Sequence, residues 1–572
     1  MLDVKIVGGS VVDGTGAARR RADVGIRDGR VVAIGDVDEG ATRTIDADGL
    51  VVAPGFVDIH THYDAQAFWD PAVTPSPLHG VTTIVGGNCG FTIAPLAASE
   101  ADYLMRMLAR VEGMPLESLE AGVPWDWQTF GEYLDRLDGT LAVNAGFLVG
   151  HSALRRVAMG ERSHEPATDD DVATMRGTLG ESLAAGGLGF SSSQAPTHND
   201  GDGEPVPSRA ATRDELLALC DVVREHPGTT LEFIPTVGPF SEDHVALMAA
   251  MSTAARRPLN WNVLVVGAGT DTYKEQLAAS DRAAEQGGRV LALTVPAVMQ
   301  LHLNFRSGFL FDALPDWGPT MALPDDEKLR ALADPDVRRR LRESAEADTG
   351  LFRAMLRWDR LQIGETFAPE NARFAGRTVA DVAQEVDADP FDALLDVVVT
   401  DDLRTVLMPP ARGDDPDSWR MRAEAWRDPR VVVGASDAGA HLDMLATFSY
   451  STSLLAASRE HDLVPLEEAV HLLTDVQARL YGIRDRGRLT EGGYADVVLF
   501  DEDRVAPGPV HTRHDLPAGA GRLYADAEGI EHVLVNGTEI VRGGELTGER
   551  PGMLLRSGQD TDTVEVAGVR TG

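Results

Sequence analysis

Residues 54–62 read PGFVDIHTH. The stretch closes a run of short, turn-punctuated β-segments and opens a long alternation of apolar strands with helical stretches. Its two histidines, His60 and His62, lie two positions apart. On a strand, residues i and i+2 face the same side, so both imidazoles can approach one metal ion. Alone, such a pair fits a wet strand end equally well. Its place at the end of the first strand of a repeating pattern raises its weight.

Seven further stretches carry the pattern onward: VTTIVGGNCG (81–90), AVNAGFLVGH (142–151), GLGFSSS (187–193), TTLEFIPT (229–236), LNWNVLVV (259–266), RVLALTVP (289–296) and RVVVGASDAG (430–439). Helical sequence such as TRDELLALCDVVREH, DHVALMAAMSTAARR and TDTYKEQLAASDRAAEQ separates several of them. Eight strands with helical crossovers predict an α/β fold, a (β/α)8 TIM barrel, over about 55–480. The interval between the last two strands is too long for a loop. It holds LPDDEKLRALADPDVRRRLRESAEAD, so 297–430 reads as an inserted helical lid. Both chain ends, 1–54 and 481–572, are β-rich, and VNGTE near the C-terminus carries an Asn-Gly hairpin signal. They predict one small β-sandwich domain built from both termini.

With 572 residues and 43% hydrophobic content, the chain can bury a sizeable core. It contains 52 basic and 90 acidic residues, a net charge of −38. Without a long basic run, that field repels nucleic acid and anionic membrane. No apolar run approaches the roughly 18 residues of a membrane span. The acidic, turn-rich start MLDVKIVGGS differs from a secretory leader, and two cysteines cannot form a disulfide framework. The expectation is a cytoplasmic protein with a small-molecule partner; assembly into a homo-oligomer is left open.

Chemistry gathers at the strand ends. Cys89, in GGNCG, follows the second strand, where flanking glycines permit a sharp turn toward a ligand. A small buried cysteine is the alternative, and it is the reading taken for Cys220. Asp437, in GASDAGAH, ends the eighth strand. There a carboxylate can touch a metal and act as a general base, or simply cap a helix.

This set resembles the amidohydrolase superfamily, and within it the N-acyl-D-amino-acid deacylase (D-aminoacylase) family. The resemblance spans most of the chain, through PGFVDIHTH, GVTTIVGGNCGFTIAPL, GHSALRRVAMG, SDAGAH followed by TF, and VNGTEIVRGGELTGERPGMLLR. It implies that His60 and His62 bind zinc and that Asp437 binds the metal and shuttles a proton. It also implies that Cys89 replaces the carboxylated lysine that bridges two metals in other branches. Independently, none of the three lysines, Lys5, Lys274 and Lys328, ends a barrel strand.

Two departures follow. The family places histidines at the ends of strands five and six, where this chain offers Glu232 and Asn262. Glu232 reads as a ligand or as a buried carboxylate tied to an arginine, and Asn262 as a hydrogen-bonding residue. The expectation is one Zn2+ per chain, held by His60, His62 and Asp437, with Cys89 and Glu232 as further ligands. The family also grips the substrate carboxylate with an arginine after strand eight, but AGAHLDMLATFSYS has none. Arg306 is the candidate replacement, with a surface arginine as its alternative. His151, ending FLVGH, is a candidate for steadying the oxyanion; His198 and His441 are candidates near the substrate. The predicted reaction is amide hydrolysis by metal-activated water with Asp437 as base. Hydrolysis of a cyclic amide or carbamoyl group is the alternative, as is a degenerate barrel kept as a scaffold.

Overall fold

The computed structural model describes residues 1–269, 271–308, 310–312, 314–348 and 357–566. Eight parallel strands form its centre: β1 (Phe56–Asp58), β2 (Val81–Gly86), β3 (Asn144–Phe147, resuming at Val149–Gly150), β4 (Gly189–Ser193), β5 (Thr230–Ile234), β6 (Leu259–Trp261), β7 (Val290–Thr294) and β8 (Val431–Val433). Each of the eight stretches singled out in the sequence contains one of them. They pair in chain order, β1 to β3 in one sheet and β3 to β8 in the next. A parallel bridge between Thr61 and Ala438 returns the path from β8 to β1. The class is mixed α/β of the TIM-barrel type. Every residue of β1 to β8 is buried, which explains why these strands read as continuous apolar runs rather than alternating ones.

The chain ends meet in a second sheet of nine strands. Val51–Pro54 from the N-terminal part runs antiparallel to Val497–Phe500 from the C-terminal part. Leu2–Val11 pairs in parallel with Ala41–Asp46 along its first half and with Val51–Pro54 at its end, and its antiparallel pairing with Arg20–Arg27 shifts register between Ile6 and Gly9. Ile6, Val24 and Val52 share a core with Val497, Leu499 and Leu534, so neither end buries its apolar face alone. The Asn-Gly signal is realised: Asn536 and Gly537, both with positive φ, link Val535 to Thr538 in a two-residue hairpin.

Between β7 and β8 the chain forms helices, among them Asp325–Ala333, Pro335–Ala347, Val379–Val386, Pro390–Thr400 and Pro416–Trp426. The acidic stretch 323–348 is two helices, because Pro335 ends the first and Asp334 caps the second by accepting from the Asp336 and Val337 N–H groups. This region has its own core around Phe305, Trp317, Leu341, Leu361, Phe391 and Leu394. Residues 309, 313 and 349–356 of the expected 297–430 insertion lie outside the described residues. No described helix is long and apolar enough to cross a membrane.

Candidate metal centre

Backbone pairing sets the register of the centre. The Asp437 N–H donates to the His60 carbonyl at 3.1 Å, and the His62 N–H to the Ala438 carbonyl at 2.7 Å. Gly439 lets this crossing close: a Cβ there would stand 2.7 Å from the His62 carbonyl carbon. Asp437 itself adopts φ +58°, which throws its carboxylate back over β1. At the end of β2, Gly87 turns the chain with φ +75°, and a Cβ on it would meet the Leu148 carbonyl oxygen at 2.2 Å. The turn continues through Cys89, φ +58°, and aims its thiol at the histidines.

The result is a tight set. The ligand atoms of His60, His62 and Cys89 lie within 4.8 Å of one another, all three residues buried. Cys89 Sγ is 3.3 Å from His60 Nε2 and 3.6 Å from His62 Nε2. One Asp437 oxygen stands 3.6 Å from His60 Nε2 and 3.1 Å from His62 Nε2. Glu232, on β5, accepts the Cys89 N–H at 2.7 Å with Oε2, while its buried Oε1 has no partner. No arginine of the described residues holds Glu232, so the ion-paired alternative for it falls away. Asn262 follows β6 and donates to His60 Nε2 at 3.1 Å.

Charge shapes the protonation states. Burial pushes His60 down to about 3, so it stays neutral. Burial works the same way on His62, but the Glu112 and Asp437 carboxylates overcome it and raise it to about 9. Burial also raises Asp58 and Asp64 to about 7 and Glu232 to about 8. It lifts the Cys89 thiol well above its ordinary value, with Glu232 adding to the effect. Burial opposes ionisation of Asp437 too, yet its hydrogen bond from His62 and the neighbouring histidines hold it below the usual carboxylate range.

Glu112 escaped the sequence reading. It follows the helix Ala101–Val111, and its Oε1 lies 3.3 Å from His62 Nδ1. One signal was available: an acid at a helix C-terminus faces the negative end of the macrodipole and needs another reason to be there. Asp58 and Asp64 were missed as well. Asp58 accepts from Ser436 Oγ at 2.5 Å and so ties β1 to the end of β8, and Asp64 accepts the Gly87 N–H at 2.9 Å.

The outer candidates divide. His198 accompanies the cluster: it is held by Ser193 Oγ at 2.7 Å, packs its ring 5.1 Å from that of Phe91, and responds to the charges of His441, Asp437 and His62. His441 places Nε2 3.8 Å from Asp437 Oδ2. His151 does not join them. Its Nδ1 is engaged by Ser192 Oγ at 2.8 Å and its Nε2 by Glu215 at 2.9 Å, inside a buried network completed by Arg155. With both nitrogens taken, the oxyanion role expected of His151 is corrected to a structural one. Arg306 is also corrected: it is more than half exposed and paired with Asp325 at 3.1 Å. The ion pair and solvent already satisfy its charge.

Comparison with known proteins places this geometry. A model of the amidohydrolase family matches residues 43–541. The D-aminoacylase of Alcaligenes xylosoxydans xylosoxydans is 29% identical over 97% of both chains. A crystal structure of D-aminoacylase superposes with a TM-score of 0.64 at 27% identity, covering 97% of this chain and 100% of that one. A structure of N-acyl-D-glutamate deacylase from Bordetella bronchiseptica, complexed with zinc and a phosphonate inhibitor, gives 0.63 at 27% identity, with the same coverage. The chain belongs to the amidohydrolase family. Within it, the protein is D-aminoacylase-like, a hydrolase of carbon–nitrogen bonds other than peptide bonds.

Proposed function

We propose that the protein is a deacylase of small N-acyl-D-amino acids, using one zinc ion per chain and Asp437 as its base. The observation that carries this reading is the convergence of His60, His62, Cys89 and Asp437 from three distant parts of the chain. The donor set fits the ion. Two imidazole nitrogens, a sulfur and carboxylate oxygens are zinc ligands, and the partnerless buried Oε1 of Glu232 needs a cation or a proton. His60, His62, Cys89, Asp437 and Glu232 would hold it; Asn262, where the family has a histidine, supports a single ion.

When bound, zinc would lower the pKa of water to about 7 and polarise a carbonyl. Asp437, half-buried at the end of β8, accepts the proton of the attacking water. It then returns that proton to the leaving nitrogen, because an amide anion leaves poorly. Glu112 accepts from His62 Nδ1–H and fixes the ring with Nε2 toward the centre. Burial keeps His60 neutral, so its lone pair is available at neutral pH. We read residues 55–480 as the catalytic barrel, 297–430 as a cover over its mouth, and 1–54 with 481–572 as a small β-sandwich.

Asp437→Asn tests the assignment, with amine release from N-acetyl-D-amino acids as the assay. Activity should fall by about 10²–10⁴-fold while the fold persists. Activity near that of the parent protein would remove Asp437 from its role, and turnover confined to cyclic ureides would replace the substrate class.

A further inference from the structure

Strand β4 ends in three serines, Ser191, Ser192 and Ser193, whose side chains alternate between the two faces of the strand. Ser192 faces outward and engages His151. Ser191 faces into the barrel, where its Oγ accepts the Gly90 N–H at 3.1 Å and donates to the Gly87 carbonyl. It thereby braces the turn that carries Cys89. Ser193 shares the inner face two residues on, about 6–7 Å nearer the barrel mouth. It holds His198, whose ring packs 5.1 Å from that of Phe91, two residues after Cys89. His198 therefore stands on the mouth side of the His60–His62–Cys89 cluster, where a substrate has to arrive.

Ser193 also decides which ring nitrogen carries the proton. Its Oγ accepts the Ala195 N–H at 3.1 Å, which leaves its hydroxyl hydrogen for His198 Nδ1 at 2.7 Å. Nδ1 is then the acceptor, and the neutral ring carries its hydrogen on Nε2. Nε2 makes no hydrogen bond or ion pair among the described residues. Burial keeps the ring neutral, pushing it down to about 3. The backbone is pinned as well: the His198 carbonyl accepts from the Val206 N–H at 3.2 Å and from Arg209 Nη1 at 3.1 Å. A neutral N–H donor fixed in place beforehand suits an oxygen that gains charge during reaction.

We propose that His198 is a catalytic residue that donates its Nε2–H to the substrate's carbonyl oxygen as that oxygen becomes an oxyanion. As the water oxygen bonds to the carbonyl carbon, the π pair moves onto the carbonyl oxygen, which accepts from Nε2. His198 keeps its proton throughout. Asp437 carries the proton of the water to the leaving nitrogen, the C–N bond breaks, and the pair on oxygen restores the carbonyl. The role expected of His151 thus falls to the loop after β4. The inference rests on the deacylase reading for the substrate, but the donor is measurable without turnover.

His198→Asn and His198→Gln test it together. Asparagine puts a polar atom where Nδ1 stands and nothing at Nε2; glutamine reaches the Nε2 position with an N–H. His198→Asn should keep its fold and zinc content and lose about 10²–10³-fold in kcat on N-acetyl-D-amino acids, with KM within about threefold. His198→Gln should recover at least about tenfold of that loss, and Ser193→Ala should lower kcat severalfold. Methylphosphonate, a tetrahedral oxyanion, is titrated calorimetrically into the zinc-loaded full-length proteins. It should bind His198→Asn about tenfold more weakly than the parent or His198→Gln. Unchanged kcat in His198→Asn, a rise in KM alone, a glutamine variant no better than the asparagine one, or equal methylphosphonate binding would overturn the proposal. Should His198→Asn not fold, unchanged kcat in Ser193→Ala overturns it instead. If methylphosphonate discriminates as described but no N-acyl-D-amino acid is hydrolysed, the deacylase reading fails and the donor stands. If N-acetyl substrates turn over equally in the parent and His198→Asn, the donor falls and the deacylase reading stands.

Discussion

Glu112→Gln keeps the volume of a buried side chain and removes its charge. Glu112 Oε1 stands 3.3 Å from His62 Nδ1. A full ion pair at that distance, at an effective dielectric of about 20, would be worth about 5 kcal/mol. That is a ceiling, because His62 acts on a metal as a neutral ring. What the substitution removes is a hydrogen bond to a charged acceptor, about 1.5–3 kcal/mol. Glutamine still offers a carbonyl oxygen, so a loss of about 10–100-fold in zinc affinity is expected. Competition for zinc between the protein and a chromophoric chelator measures it directly. At saturating zinc the variant should recover most of its turnover, since Glu112 touches the ring's far nitrogen and not the substrate. Zinc affinity unchanged within about twofold would refute the argument that Glu112 orients His62.

The buried network around His151 makes a stability prediction. Glu215→Leu leaves Arg155 without its counter-charge in the interior, and should cost about 3–5 kcal/mol, read as a lowered Tm; the double variant with Arg155→Met should recover most of the loss. His79 predicts a pH dependence. Its ring bonds Thr452 Oγ1 at 2.8 Å and the Ala525 carbonyl at 3.1 Å, and burial holds its pKa down to about 4. A depressed histidine contributes stability that is complete above the free value near 6.5 and lost as pH falls toward 4. The pH-dependent part is about 3 kcal/mol, so His79→Gln should show a shallower decline in Tm over that window, and parallel curves for the two proteins would exclude the role. Gly87→Ala should sharply lower both Tm and zinc content, because its Cβ would collide with the Leu148 carbonyl and displace the Cys89 turn.

Much of the fold was legible because its signals are local. Strands buried on both faces write continuous apolar runs, and the Asn-Gly pair at 536–537 is its own turn. The two helices hidden in residues 323–348 were legible too, had Asp334 and Pro335 been weighed as cap and stop. What resisted reading is contact between distant segments. Nothing near FLVGH announces that Glu215, on a helix 64 residues away, will occupy the His151 ring. Arg306 failed for a similar reason: a loop arginine and a helix acid nineteen residues on, Asp325, give no sign of their pairing in sequence.

The centre was legible as a set of donors but not as a balance of charge, and the balance is the stronger argument. Asp58, Asp64, Glu112 and Glu232 are buried around two histidines, and burial raises the pKa of each. Cys89 is pushed the same way. Apart from His62, no positive side chain of the described residues is paired with these four acids, and burying such a cluster is costly. The strain cannot be relieved by dispersing the acids, because the Thr61–Ala438 bridge and the Cys89–Glu232 bond fix them in place. A divalent cation relieves it at once by favouring the ionised carboxylate and thiolate forms. Both the buried acids and the raised thiol are what a divalent cation at this centre would answer.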